Sequence, residues 1–92
     1  MSDESQRMPK IIATRRDSVR HRAEDVANVM RVILEYSFTF GDYRSGKYEA
    51  VITGARNEND FAAAVKDDLV EHLVELFPAE NLRSRDVMLF GF

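Results

Sequence analysis

The sequence predicts a small α+β domain of ferredoxin-like order, β-α-β-β-α-β, or α-β-β-α-β if its first strand is absent. Three observations carry this reading. Leu34, Tyr36, Phe38 and Phe40 alternate strictly with polar residues, the period of a strand with one buried face. Gly41 and Gly46 lie in a polar turn, after which Tyr48, Ala50 and Ile52 resume the alternation as a hairpin's return strand. Phe61, Val65, Leu69, Leu73 and Leu76 then recur at the spacing of one helical face.

Taken in order, residues 1–9 are a polar tail expected to be flexible, and residues 10–92 form one domain. A chain of 92 residues has room for little more. Residues 10–14 fit a short strand. Residues 17–33 read as a helix, with Val19, Ala23, Val26, Ala27, Met30 and Ile33 on one face and Asp17 or Ser18 as its cap. Strand alternation overlaps this pattern at residues 30–34, so the helix is ended near Val32 and the next strand begun near Leu34. That strand runs to Phe40, and the return strand occupies residues 48–53. A second helix spans about residues 60–77, capped by Asn57 or Asn59 and stopped by Pro78, which lacks the amide a helix needs. A surface loop at 79–85 leads to a last strand at 86–92.

The net charge of -3 is unevenly placed. Residues 1–22 carry six basic side chains against Asp3, Glu4 and Asp17, a net of +3; residues 23–92 carry seven basic and thirteen acidic ones, a net of -6. Arg15, Arg16, Arg20 and Arg22 are therefore candidate contacts of a basic arm, toward an acidic protein surface or toward nucleic acid. The acidic body repels phosphate. The segment 46–53 also departs from the strand pattern of RNA-recognition sheets, since its Gly and Lys are reversed and Glu49 intrudes.

Catalytic chemistry finds little footing. No cysteine is present, so a disulfide framework, a thiolate metal site and a thiol nucleophile are excluded. The four glycines form no phosphate-binding loop, and no serine sits in a nucleophile motif. His72 with Asp68 and Glu75, at spacings of four and three, is the one cluster that suggests a small metal or enzymatic site on the second helix. A lone imidazole beside two carboxylates more simply makes a solvated helix face. No cofactor, metal site or catalytic residue is expected.

Two places suggest protein contacts instead. Tyr43 and Arg44 stand at the hairpin tip, residue types that anchor interfaces. In the last strand Val87 and Leu89 face one way while Met88, Phe90 and Phe92 face the other, leaving a second side too apolar for open water. The expectation is a non-catalytic protein-interaction domain, a regulator, inhibitor or assembly component, with a protein partner that includes a second copy as a homodimer. The alternative is a nucleic-acid-binding module using the basic segment. The longest apolar runs are far too short to span a membrane, and the polar N-terminus carries no apolar signal core. The cytoplasm is the expected location.

Overall fold

The computed structural model describes the backbone of residues 9–23, 26–40 and 44–92, with their side chains except those of residues 20–23 and 26–28. Among these residues the chain is α+β, with one α-helix and a four-stranded mixed sheet. The strands are β1 (Ile11–Ala23), β2 (Val26–Phe38), β3 (Ser45–Thr53) and β4 (Val87–Phe90), and the helix is α1 (Glu58–Leu76). The spatial order is β3-β2-β1-β4, with β1 antiparallel to β2, β2 antiparallel to β3, and β4 parallel to β1.

The helix predicted over residues 17–33 does not form. Of that stretch, residues 17–23 complete β1 and residues 26–33 open β2, and Ala23 pairs with Val26. The ferredoxin-like order fails with it, because a hairpin stands where that order needs its first helix. So does the order lacking a first strand, since residues 10–14 belong to a strand running from Ile11 to Ala23. Residue chemistry explains the outcome. Val19, Val26, Val29, Val32 and Ile33 are β-branched, stiff in a helix and well suited to a pleated surface. The alternation of the predicted strand also extends back without a break through Val32 to Met30.

The predicted hairpin at residues 34–53 does form, as β2 and β3, with Leu34 opposite Tyr48 and Val32 opposite Ala50. Its first strand ends at Phe38 rather than Phe40, and Phe40 is exposed. Asn57 caps α1, its side-chain oxygen accepting from the Asp60 amide at 2.8 Å. The helix buries Phe61, Val65, Leu69 and Leu73, while Leu76 is exposed in its last turn. Residues 79–85 are not a plain loop. They hold two short 3-10 turns, Pro78–Glu80 and Ser84–Asp86, and the buried Asp86 carboxylate accepts from the Arg83 amide at 2.9 Å.

One face of the sheet makes the core. Ile11 and Ala13 of β1, Val32, Leu34, Tyr36 and Phe38 of β2, Ala50 and Ile52 of β3, and Val87 of β4 pack with the buried side of α1 and with Leu82. The helix joins parallel strands that lie at opposite edges of the sheet, so it crosses this face on its way from β3 to β4. No α-helix among the described residues lies on the other face.

Candidate interaction surface

The outer face is built by the alternation that the core requires. Every residue between two inward positions points outward. Cross-strand register then groups the outward side chains into rows. Met88, Ile12, Ser37 and Ser45 form one row, and Phe90, Thr14, Glu35 and Lys47 form the next.

A β-bulge shapes the middle of this face. Arg15 pairs with Leu34 and Asp17 pairs with Ile33, which leaves Arg16 as the extra residue. Before the bulge, Ile11 and Ala13 face the core. After it, Asp17 and Val19 align with Ile33 and Arg31 on the outer face. The shift opens a shallow hollow of about 250 Å³ lined by Asp17, Ser18, Val19, Arg31, Ile33 and Glu49.

Ion pairs thread between the apolar positions. Arg16 donates through Nε and Nη2 to Glu35 Oε1 at 3.2 and 2.7 Å. The hydrogen bond and charge of Arg16, helped by Lys47, hold the Glu35 carboxyl below its ordinary range against a small opposing effect of burial. Arg31 Nη1 lies 3.7 Å from Glu49 Oε2. Both pairs are open to solvent, where such contacts contribute little stability. Their larger effect is to balance charge locally.

The apolar content of the face is the unusual part. Val19, Val51, Met88 and Phe90 are each 44–49% exposed, and all four stand on outward positions. Ile12, Val29 and Ile33 lie half-buried among them. Phe90 therefore takes the outward place expected of it. Phe92 behaves differently. Gly91 adopts φ 91°, a left-handed turn, and the chain swings toward the helix. There the Phe92 ring sits 5.8 Å from that of Phe61, with the Arg15 guanidinium 5.1 Å from the Phe92 centroid.

The other expected contact residues are placed as follows. Tyr43 lies outside the described residues, as do the side chains of Arg20, Arg22 and His21; the backbones of these last three belong to β1. Arg44 folds inward. Its guanidinium lies 4.1 Å from the Phe38 centroid and 5.0 Å from that of Phe77, and Nη2 bonds Glu80 Oε2 at 2.8 Å. Arg15 donates through Nη2 to Ser18 Oγ at 2.8 Å, and Arg16 is held by Glu35. The described part of the basic segment is thus engaged within the chain.

The cluster around His72 is also engaged. The imidazole stacks on the Tyr48 ring at 4.3 Å, and the Tyr48 hydroxyl donates to Asp68 Oδ2 at 2.8 Å. Among the described residues no three His, Cys, Asp or Glu side chains converge to hold a metal ion. Burial, then the bond and charge of Asp68, with Glu71 and Glu75 beyond, push the Tyr48 phenol up to about 12 from 10.0. The folded state therefore favours the neutral phenol. That contribution is whole below pH 10 and fades as pH rises through about 12. Absorbance titration at 295 nm should show a late phenol ionisation that Tyr48→Phe removes. A curve unchanged by the substitution would disprove the assignment.

The residues missed in the sequence are Ile12, Val19, Ile33 and Val51. Their signal was an apolar side chain at the polar-phase position of a strand. It is invisible for Val19 and Ile33 while residues 17–33 are read as a helix. No α-helix among the described residues is long and apolar enough to cross a membrane. No family model matches the chain, and comparisons with curated proteins and with solved structures return no significant match.

Proposed function

We propose that this chain is a protein-interaction domain that acts through the helix-free face of its sheet rather than through catalysis. The observation that carries this reading is that Val19, Val51, Met88 and Phe90 are exposed at outward positions of one sheet face, with Ile12 and Ile33 half-buried on the same face. An antiparallel-type sheet can leave one face to water, but that face is then mainly polar. Four large apolar side chains left exposed on one face of so small a domain mark it as a candidate contact site. The interspersed ion pairs supply the polar fraction that non-obligate interfaces carry.

Less supports the nucleic-acid alternative. Arg16 and Arg31 have acidic partners on the sheet, and Arg15 is committed to Ser18 and two aromatic rings. The enzymatic alternative is weaker again. The cleft of about 370 Å³ beside the start of α1 is lined by Met30, Ile52, Ala55, Arg56, Asn57, Glu58 and Phe61, with no histidine among the described residues that line it.

The reading is tested by placing a photo-crosslinking residue at Val51 or, as a control, at the exposed helix position Ala63 in the full chain. Crosslinks in the native cell should form from Val51 and not from Ala63. Equal yields from both positions, or adducts from Ala63 alone, would reject the face as the contact surface.

A further inference from the structure

We propose that the occupant of this face is a second copy of the same chain, packed sheet to sheet, with Phe90 of each copy seated in the Ile33 hollow of the other. The proposal rests on the interaction reading above and adds the partner to it.

Charge selects the partner. Among the described side chains, the outer face carries Arg16, Arg31 and Lys47 against Asp17, Glu35 and Glu49, three of each sign. Each copy thus offers the other both signs, with no net repulsion between the described charges of the two faces. The helical side behaves in the opposite way. Glu58, Asp60, Asp67, Asp68, Glu71 and Glu75 stand against Lys66 alone in α1, so two helical sides repel. A strongly acidic or strongly basic partner gains nothing from this balanced set of charges. A copy of the face itself does.

Shape and area agree. A two-fold contact is isologous, so any knob and hollow on one patch are used twice. The patch has both, the half-exposed Phe90 on the edge strand β4 and the hollow beside the bulge across β1, β2 and β3. Strands about 4.8 Å apart and outward residues about 6.8 Å apart give the face, four strands wide beside β4 and three beyond it, roughly 500 Å². Two such faces cover about 1,000 Å², the size a weak, reversible biological interface must reach. Sheets stack in this way about 10 Å apart with their inner side chains interdigitated.

Sedimentation equilibrium of the full chain at about 50 μM tests the proposal, at a concentration where a micromolar contact is mostly formed. The expected mass is twice the 10.6 kDa of one chain. Phe90→Ser and Val51→Lys should each weaken the dimer by at least about tenfold, since each changes an exposed apolar side chain of the contact face. Leu76→Ser, exposed on the helix, should leave it intact. Circular dichroism identifies any variant that has lost its fold, and Met88→Ser then replaces it. A wild-type monomer would overturn the second copy as partner and leave the interaction reading standing. A dimer indifferent to all the face variants would overturn both, because association would then use another surface.

Discussion

Replacing Leu69 by alanine is expected to cost about 2–5 kcal/mol, a large part of the whole stability of the domain. Leu69 is fully buried in the middle of α1, between Val65 and Leu73 on the same stripe. A larger protein would spread its core over several helices. Here one helix covers the inner face of the sheet, and only Phe61, Val65, Leu69 and Leu73 of it are buried. Truncating one of the four removes apolar transfer energy and leaves a cavity that a sheet on one side and a helix on the other cannot easily close. Leu76→Ala is the internal control, because its half-exposed side chain should change stability by less than about 0.5 kcal/mol. Urea denaturation reads both. A Leu69→Ala midpoint indistinguishable from the wild type would mean that α1 does not pack on the sheet as described.

The helix was legible in the sequence because its four buried residues are spaced by four, a capping asparagine precedes it and proline follows. The hairpin of β2 with β3 was legible for a matching reason: alternation on both sides of a glycine-bearing turn. Residues 17–33 were not. The bulge at Arg16 shifts the inward positions of β1 from odd to even numbers, so a period-two search breaks there while helical spacing happens to fit. The β-branched content of that stretch was the better guide, since side-chain stiffness acts whatever the register. The outer face followed the same fate. Phe90 was found as an anomaly within one short strand, whereas Val19 and Ile33 join the face only when β1 and β2 are laid side by side. Arg44 shows a different limit. Its stacking on Phe38 and Phe77 depends on where the end of α1 meets the end of β2, a long-range contact with no local signature.

Gly46→Val should destabilise the protein by about 1–3 kcal/mol through crowding, even though valine suits a strand better than glycine does. Gly46 pairs with Tyr36 across β2 and β3. A Cβ added there would meet the Tyr36 hydroxyl oxygen at 2.5 Å and the ring carbon bearing it at 2.7 Å. The far end of a tyrosine usually moves aside easily. This one is 5% exposed and held in the core, so its ring must displace neighbours to make room. The phenol thus fills the space that glycine leaves open, which is how a glycine persists in a strand without leaving a hole. Gly54 shows the opposite case. Nothing lies within 4 Å of its added Cβ, but its φ of 78° makes any side chain strained. The two mechanisms separate in a double-mutant cycle. In a Tyr36→Ala background, Gly46→Val should cost close to nothing or stabilise, because the crowding atoms are gone, whereas Gly54→Val should cost the same in both backgrounds. Additive effects at Gly46 and Tyr36, measured by urea unfolding, would show that the ring does not close over the glycine.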